Sequence, residues 1–272
     1  MKTFLSNDKI SYIQQGDCLE LMKEMPDASV DFTITSPPYD NLRTYNGNIQ
    51  QWSFKKFEAI AEELYRVTSD GGVVVWVVAD MTIKGSETGT SFRQALHFMQ
   101  CGFNLHDTMI WAKDTMLFPN TTRYGQSFEY MFVFSKGKPK TVHKIQDRKN
   151  KWAGTKIHGT TRKTDGDMSR KSNHNKTLVK EYGERLNVWQ MPSEKKNKTG
   201  HPAVFPEQIA RDHILSWTNE GDVVLDPFIG SGTTAIAAIK TKRRYIGFEI
   251  DGQYFETAAK RVMETERMVC NA

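Results

Sequence analysis

A serine, two prolines and a tyrosine stand together in the segment Ser36-Pro37-Pro38-Tyr39, directly after an apolar run over 30–34. The run has the pattern of a buried strand, and consecutive prolines end a strand because neither has an N–H to donate. Each proline also keeps the residue before it out of the helical region, so the turn is extended and its carbonyl oxygens are left unpaired. Acceptor oxygens beside an aromatic ring suit a flat molecule with an exocyclic amine, such as a nucleobase. A surface turn or a proline-rich ligand segment would have the same composition.

A second unusual stretch, Asp226-Pro227-Phe228-Ile229-Gly230-Ser231-Gly232-Thr233-Thr234, begins at the end of the apolar run 223–225. A strand that ends in an acid, followed by a glycine turn and a helix, forms the front of a βαβ nucleotide site, where the amino end of the helix attracts an anion. Glu249 lies 23 residues beyond Asp226, at the end of the following strand. An acid at that place is expected to accept both hydroxyls of a ribose.

The residues after the glycine turn narrow the choice of nucleotide. Thr233 and Thr234 stand where a phosphate-binding P-loop has lysine and serine or threonine, and Ala235 stands where a dinucleotide fingerprint has its third glycine. Only a short anionic group is provided for, such as the carboxylate of S-adenosylmethionine, which also carries a ribose and an adenine. An NAD-type ligand and a phosphosugar are the alternatives.

Size and composition bound the class of protein. The chain has 272 residues, of which 38% are hydrophobic and 25% charged, enough for one sizeable domain with an insertion. No window approaches the length of a membrane span. Cys18, Cys101 and Cys270 are scattered, without the spacing of a metal site or a disulfide framework. A reducing, intracellular location is therefore expected.

The net charge of +5 is unevenly distributed. Residues 136–200 contain 18 Lys/Arg and 6 Asp/Glu, a net charge of +12, so the remainder carries −7. A basic segment on an acidic body predicts a polyanionic partner, nucleic acid first. Trp152, Tyr182, Val188 and Trp189 lie among the charges, which favours a nucleic-acid contact region with aromatic anchors over a solvated or disordered insertion.

Strand and helix patterns alternate on both sides of the basic segment, which predicts an α/β fold: a mostly parallel twisted sheet with helices on both faces, plus a basic irregular insertion. The predicted strands cover 10–17, 30–34, 73–78, 103–112, 130–134, 223–225 and 244–249. The predicted helices cover 19–25, 54–67, 92–101, 207–217, 233–240 and 254–267.

The two unusual stretches together resemble the motifs of the DNA amino-methyltransferases, which methylate N4 of cytosine or N6 of adenine. The resemblance rests on Thr35-Ser36-Pro37-Pro38-Tyr39, on Leu42-Arg43-x-Tyr45 and on the segment 226–234. The catalytic motif precedes the cofactor motif with the basic segment between them, an order similar to that of the beta group. The resemblance covers most of the chain and fails only within about residues 140–190.

This resemblance implies a Rossmann-like methyltransferase fold, S-adenosyl-L-methionine as cofactor and double-stranded DNA as substrate. The implied domains are a catalytic half over 1–136, a target-recognition insertion over 137–198 and a cofactor-binding half over 199–272. It also implies a bacterial or phage enzyme that works in the cytoplasm on the nucleoid. It is compatible with a homodimer and with a cognate restriction nuclease.

Each matching residue acquires an implied role. The target-base site is expected at Ser36, Pro37, Pro38 and Tyr39. The residues implied to hold the cofactor are Asp17, Thr35, His201, Phe205, Asp226, Pro227, Phe228, Gly230, Ser231, Gly232, Thr233 and Glu249. The residues expected to contact DNA are Arg43, Tyr45, Lys144, Lys149, Lys151, Trp152, Lys156, Arg162 and Lys163. No metal ion is expected.

The implied chemistry suits these residue types. If the Ser36 hydroxyl and the Pro37 carbonyl accept the two N–H bonds of the amine, its lone pair turns towards the sulfonium methyl, and positioning of this kind is worth up to roughly 7–11 kcal/mol. Flipping the base out of the duplex costs a few kcal/mol. Stacking on Tyr39 returns roughly 1–3 kcal/mol.

A serine at the catalytic position resembles the cytosine-N4 enzymes more often than the adenine-N6 enzymes, so N4 of cytosine is the expected target. The alternatives are N6 of adenine, then a methyltransferase that acts on RNA or on a protein amide, and then a non-catalytic nucleic-acid-binding protein.

Overall fold

The computed structural model describes residues 2–38, 52–114, 122–171, 175–192 and 205–270. Four of the predicted site residues, Tyr39, Arg43, Tyr45 and His201, lie outside these ranges. No helix within them has the length and apolar character that a membrane crossing requires.

Helices and strands alternate along most of the described chain. The helices are α1 (Cys18–Lys23), α2 (Phe54–Val67), α3 (Thr90–Gln100), α4 (Glu207–Trp217), α5 (Thr233–Lys240) and α6 (Gly252–Cys270). The strands are β1 (Thr3–Leu5), β2 (Tyr12–Gln15), β3 (Val30–Thr35), β4 (Thr68–Val78), β5 (Thr82–Ile83), β6 (Ser86–Glu87), β7 (Asn104–Ala112), β8 (Phe128–Ser135), β9 (Arg148–Lys149), β10 (Thr160–Arg162), β11 (Met168–Arg170), β12 (Tyr182–Gly183), β13 (Val188–Gln190), β14 (Val223–Asp226) and β15 (Arg244–Glu249).

Nine strands form one mixed sheet in the order β1-β2-β15-β14-β3-β4-β8-β7-β13. The central strands β2, β15, β14, β3 and β4 pair in parallel with their neighbours, and β13 pairs in parallel with β7. Three pairs are antiparallel: β1 with β2, β4 with β8, and β8 with β7. The near-continuous apolar run of β4 is typical of a strand that is covered on both faces.

Helices cover both faces of this sheet. One hydrophobic core lies between the sheet and α4, α5 and α6, and a second lies between the sheet and α1, α2 and α3. The alternation of side chains along each strand divides its residues between the two cores. Val75 and Val77 of β4 belong to the first core, and Val74, Trp76 and Val78 belong to the second. The predicted α/β fold with helices on both faces is confirmed.

The chain divides into two compact units, Met1–His143 with Asn187–Ala272, and Lys144–Leu186. The second unit contains two small antiparallel pairs, β9 with β12 and β10 with β11. Its side chains are largely exposed, including that of Trp152.

The small unit is narrower than the predicted insertion over 137–198. β13 pairs in parallel with β7 and so belongs to the main sheet. Trp189, which sequence analysis placed among the aromatic anchors of the basic segment, is only 5% exposed and stacks on His213 at 4.4 Å between ring centroids. That interpretation of Trp189 is wrong, because a three-residue strand has too short an apolar pattern to be seen inside a charged segment.

Candidate active site

The carboxyl ends of five parallel strands lie along one edge of the sheet, which is where open α/β sheets bind their ligands. Glu249 at the end of β15 is paired in register with Gln15 at the end of β2. Thr35 at the end of β3 is paired with Trp76 of β4, and β14 between β15 and β3 ends at Asp226. The two stretches that the sequence singles out therefore meet at this edge.

A hydrogen bond joins the two stretches directly. The Thr35 hydroxyl donates to Oδ1 of Asp226 at 2.6 Å, across 191 residues of sequence. The Thr234 hydroxyl donates to the other carboxylate oxygen at 2.6 Å, and the backbone N–H of Phe228 donates to Oδ1 at 3.1 Å. Asp226 is 2% exposed, and this burial raises the pKa of its carboxyl to about 6 against the opposing effect of the three donors.

The glycine turn that follows β14 has backbone conformations that favour glycine. Gly230 has φ 52° and Gly232 has φ 86°. A Cβ atom on Gly232 would lie 3.2 Å from the Cα of Ala258 in α6, so this turn also packs tightly on that helix. Arg261 of α6 donates to the side-chain oxygen of the buried Ser231 at 3.0 Å and also to its carbonyl oxygen.

Glu249 is tied to the same turn. Its Oε2 accepts the backbone N–H of Gly230 at 2.9 Å, and its Oε1 accepts the N–H of Asp251 at 2.9 Å. The residue is 8% exposed, and burial raises the pKa of its carboxyl to about 7, although both N–H donors favour the charged form. A carboxylate at the end of β15 thus lies beside the glycine turn.

Asp17 lies at the neighbouring strand end. It is the N-cap of α1, where its Oδ1 accepts the N–H of Leu19 at 3.0 Å. Its Oδ2 pairs with the ammonium of Lys56, in the first turn of α2, at 2.5 Å. The N–H of Gly16 donates to the carbonyl of Glu249 at 2.9 Å, which holds Asp17 close to the end of β15.

Aromatic rings pack beside the glycine turn. The Phe228 ring meets the Trp52 ring edge-on at 5.6 Å between centroids, and it lies 6.3 Å from the Trp76 ring. Phe205 is buried in the first core, two residues before α4 begins. Pro227 is also buried.

The Ser-Pro-Pro turn, which sequence analysis predicts to be the catalytic turn, begins at the end of β3. Ser36 and Pro38 are partly exposed, and Pro37 is buried. Their position beside Thr35 places them next to Asp226 and the glycine turn.

The described DNA-contact candidates all belong to the small unit 144–186, which contains 12 Lys/Arg and 5 Asp/Glu, a net charge of +7. Trp152 is 66% exposed, and the Lys151 ammonium lies 5.6 Å from the centroid of its ring. Lys144 pairs with Glu184 at 3.0 Å. The remaining candidates, all exposed, are Lys149, Lys156, Arg162 and Lys163.

Comparison with known proteins decides the family. Residues 30–260 match the family of N6- and N4-type DNA methylases. The chain belongs to this DNA methylase family. It is a DNA amino-methyltransferase, of the group that comprises cytosine-N4 and adenine-N6 enzymes.

Individual DNA methylases are similar over most of the chain. The orphan methyltransferase M.BamHII of Bacillus amyloliquefaciens is 56% identical over 89% of this chain and 92% of its own length. The DNA adenine methyltransferase YhdJ of Escherichia coli is 27% identical over 92% of this chain and 82% of its own. The solved structure of the PvuII DNA methyltransferase, described as cytosine-N4-specific, matches with a TM-score of 0.66 at 21% identity, over 95% of this chain and 92% of its own.

DNA methylases of this family use S-adenosyl-L-methionine as methyl donor, and the described residues fit that group. Thr233 begins α5, and its buried hydroxyl has no hydrogen-bond partner among the residues that the structure describes. A buried polar atom of this kind is normally satisfied, so an external polar group is the natural partner. The two acids Asp226 and Glu249 and the open helix end complete a set that suits an amino acid joined to a nucleoside.

Three residues of this DNA methylase site lie outside the sequence-based selection of site residues. Thr234 donates to Asp226, Lys56 pairs with Asp17, and Arg261 braces the glycine turn. Thr234 belongs to the glycine-turn motif, but its residue type alone indicates no role. Lys56 and Arg261 are charged residues on the amphipathic helices α2 and α6, and no local pattern distinguishes them from the other charged residues there.

Proposed function

We propose that the protein transfers a methyl group from S-adenosyl-L-methionine to N4 of a cytosine flipped out of double-stranded DNA. The observation that carries the proposal is the hydrogen bond from Thr35 to Asp226, which holds the Ser-Pro-Pro turn against the glycine turn. A methyl acceptor bound at the first turn is then adjacent to a methyl donor bound at the second.

The cofactor roles follow from the chemistry of the strand ends. Glu249 accepts hydrogen bonds from the ribose hydroxyls, and Asp17 accepts one from the adenine amine. The amino end of α5 attracts the carboxylate of the methionine part, where the Thr233 hydroxyl gains its missing partner. Phe205 and Phe228 supply apolar surface, and Pro227, Gly230, Ser231 and Gly232 shape the turn. His201 belongs to the same proposed set and lies outside the described residues.

The catalytic turn acts by orientation. The cofactor supplies a methyl group on a sulfonium sulfur, which needs no further activation. An exocyclic amine is a weak nucleophile because its lone pair is delocalised into the ring. The Ser36 hydroxyl and the Pro37 carbonyl accept its two N–H bonds and so direct the lone pair out of the ring plane. Pro38 stiffens the turn, and Tyr39 stacks on the base.

The base is assigned from the catalytic turn. Ser36 in place of aspartate favours cytosine N4, by resemblance to the enzymes that carry serine there. Adenine N6 is the second candidate, because the E. coli relative is named an adenine methyltransferase. The two bases present the same amine geometry, so the same turn serves either.

The base assignment is tested by product analysis. The protein is incubated with duplex DNA, and in parallel with RNA of the same sequence, together with S-adenosylmethionine that carries a heavy methyl group, and each nucleic acid is digested to nucleosides. Mass spectrometry is expected to find the label in N4-methylcytosine. Label in N6-methyladenine would move the assignment to the second candidate, and label on RNA but not on DNA would overturn the duplex substrate.

The basic segment provides the DNA contacts in this proposal. The insertion over 137–198 lies in the sequence between the catalytic half, 1–136, and the cofactor-binding half, 199–272. We assign to it the recognition of the target. Its lysines and arginines bind phosphates and Trp152 supplies a stacking surface, and Arg43 and Tyr45 are proposed to contact DNA from the loop after the catalytic turn.

Location and partners complete the proposal. An enzyme that modifies genomic DNA in a bacterium works in the cytoplasm at the nucleoid. A homodimer is the proposed assembly, and the molar mass in solution, determined by light scattering, tests it. Since the 56% identical relative is named an orphan methyltransferase, a solitary enzyme ranks before one with a cognate restriction nuclease.

A further inference from the structure

A partly buried ion pair lies at the edge of the sheet that carries the Ser-Pro-Pro turn, outside the residues already assigned. The Lys113 ammonium is 2.5 Å from Oε1 of Glu129, and the side chains are 21% and 6% exposed. The same ammonium lies 4.7 Å from the centroid of the Trp111 ring. An ion pair in such a place stabilises a fold no better than apolar side chains of the same volume, because desolvation offsets the attraction. Because stability does not account for this ion pair, its place at the edge that carries the Ser-Pro-Pro turn indicates a role in recognition of the substrate base.

The strand register places this pair at the same edge of the sheet as the Ser-Pro-Pro turn, two strands away. β7 and β4 both pair antiparallel with β8, so they run in the same direction and end at the same edge. Glu129 is paired with Trp111 in the outermost part of the β7–β8 hairpin. On the other side, Val78 at the end of β4 is paired with Tyr130, so Glu129 lies level with the residue that follows β4.

The pair also lies on the same face of the sheet as the catalytic serine. Met131 and Val133 of β8 contribute to the first core, and Glu129 has the same parity. Ile34 of β3 contributes to that core too, and Ser36 continues its parity. Two strand spacings of ~4.8 Å and two residue steps of ~3.3 Å separate the backbones of Ser36 and Glu129 by about 12 Å. That gap holds one planar base with a hydrogen bond at each side.

We propose that Lys113 is a specificity-determining residue that hydrogen-bonds the ring edge of the flipped base, with Glu129 as its positioning residue. The inference rests on the proposed function, in which Ser36 binds the amine of that base. An ammonium carries three donors, and its contact with Glu129 uses one. Cytosine presents two acceptors on the edge that carries its amine, N3 next to the amine and O2 beyond it.

This contact would distinguish amino bases from keto bases. Thymine and guanine carry a ring N–H where cytosine and adenine carry an acceptor nitrogen, and an ammonium cannot accept that hydrogen. Flipped bases are commonly recognised at this edge. The Glu129 carboxylate fixes the direction of the Lys113 side chain, since a lysine otherwise samples many rotamers.

The test pairs enzyme variants with base analogues. Single-turnover methyl transfer is measured with saturating S-adenosylmethionine on a duplex that carries the site methylated by the wild-type protein. The target cytosine is replaced in turn by 3-deazacytosine, which lacks the N3 acceptor, and by 2-thiocytosine, whose sulfur accepts weakly. The enzymes are the wild type, Lys113→Met, Glu129→Gln and the double variant Lys113→Met with Glu129→Gln.

The wild type is expected to lose roughly 10–100-fold in rate on at least one analogue. Lys113→Met should be slower than the wild type on cytosine by a similar factor and should show no further loss on that analogue. Glu129→Gln should lose less, and adding it to Lys113→Met should change nothing more. The last result separates positioning through Lys113 from an independent role.

Two controls exclude a structural explanation. Cofactor affinity, measured by calorimetry, should be unchanged in each variant, and the double variant keeps the comparison valid if a lone buried carboxylate unfolds Lys113→Met. Lys240→Met removes another ion pair, 2.8 Å to Glu207, at the end of α5 away from the glycine turn, and should keep the wild-type rate.

The inference is overturned if Lys113→Met transfers at the wild-type rate, or if it is as sensitive to both analogues as the wild type. A wild type that labels adenine would overturn the proposed base but not this contact. The same comparison would then use 1-deazaadenine, which lacks the ring acceptor beside the amine.

Discussion

The Thr35 hydroxyl donates a 2.6 Å hydrogen bond to the buried carboxylate of Asp226, which ends the strand beside it. β3 carries the Ser-Pro-Pro turn and β14 carries the glycine turn, so this bond fixes the distance between the proposed sites of the methyl acceptor and the methyl donor. The bond also explains how a permuted order of motifs makes one site. Adjacent parallel strands bring their carboxyl ends together whatever their order in the chain.

Removal of the Thr35 hydroxyl should separate the two turns. In Thr35→Val, Asp226 keeps its burial and loses one donor, which is expected to lower the free energy of unfolding by about 1–3 kcal/mol. Methyl transfer should fall further than cofactor affinity, because the relative placement of the turns is disturbed. Denaturant unfolding and single-turnover rates measure the two effects. The matched control is Thr108→Val, at an exposed position of β7; equal effects in both variants would contradict a coupling role.

Glu249 should make cofactor affinity depend on pH. Its carboxyl has a pKa of about 7 in the ligand-free protein, and the charged form is the better acceptor for ribose hydroxyls. Affinity for S-adenosylmethionine is therefore expected to be weaker at pH 6 than at pH 8. Glu249→Gln should bind roughly 10–100-fold more weakly at pH 8, and its affinity should vary less with pH.

Calorimetry at the two pH values checks the Glu249 prediction. The control is Glu256→Gln, whose carboxylate forms an exposed pair with Lys2. A variant at Glu249 with wild-type affinity at pH 8 would remove this carboxylate from the cofactor site.

The buried acids Asp226 and Glu249 should make the ligand-free protein less stable as the pH rises. Burial raises the pKa of Asp226 from 3.8 to about 6 and that of Glu249 from 4.5 to about 7. The folded state thus holds more protons than the unfolded state between pH 4 and pH 7, and stability falls with rising pH across that window. Urea unfolding at pH 5 and at pH 8 should show a smaller difference in Asp226→Asn than in the wild type. A difference of the same size in both proteins would contradict the assignment of this pH dependence to Asp226.

The small basic unit should determine the salt dependence of DNA binding. Lys149→Gln with Lys151→Gln removes two exposed charges from the unit over 144–186. If both contact phosphates, the slope of log affinity against log salt should decrease by about 2, since each contact contributes about 0.9. The control, Lys23→Gln with Lys260→Gln, removes two exposed lysines from α1 and α6 and should leave the slope unchanged. Equal slopes for the wild type and the first variant would show that these lysines do not touch DNA.

Strong local patterns made most elements predictable. α4 (Glu207–Trp217), α5 and β15 have the predicted bounds, because each combines a clear period with a turn or proline at its start. β4 begins five residues earlier than predicted, since Thr68 pairs with Val30 of β3, and the turn-like residues Ser69-Asp70-Gly71-Gly72 form an irregular stretch between Thr68 and Val73. β13 was not predictable, because its position depends on pairing with β7, from which the small unit separates it in the sequence.

The candidate site was predictable where chemistry is local and not where it depends on tertiary contacts. The Ser-Pro-Pro turn and the glycine turn are unusual enough to be recognised in the sequence. The Lys56–Asp17 pair, the brace from Arg261 and the Lys113–Glu129 pair join residues on different elements, and nothing near each residue indicates its partner. The hydrogen bond between Thr35 and Asp226 is of the same kind, although both residues lie within the recognised stretches.

The most direct test of the account is the single-turnover rate of Ser36→Ala with cofactor and DNA both saturating. Removal of the hydroxyl takes away one of the two acceptors that orient the amine, while Thr35, Asp226 and the glycine turn stay intact. Methyl transfer is expected to fall by about 100-fold or more, in line with the value of orientation in such reactions. The affinity for S-adenosylmethionine should not change. A rate near that of the wild type would show that the turn after β3 does not hold the reacting base.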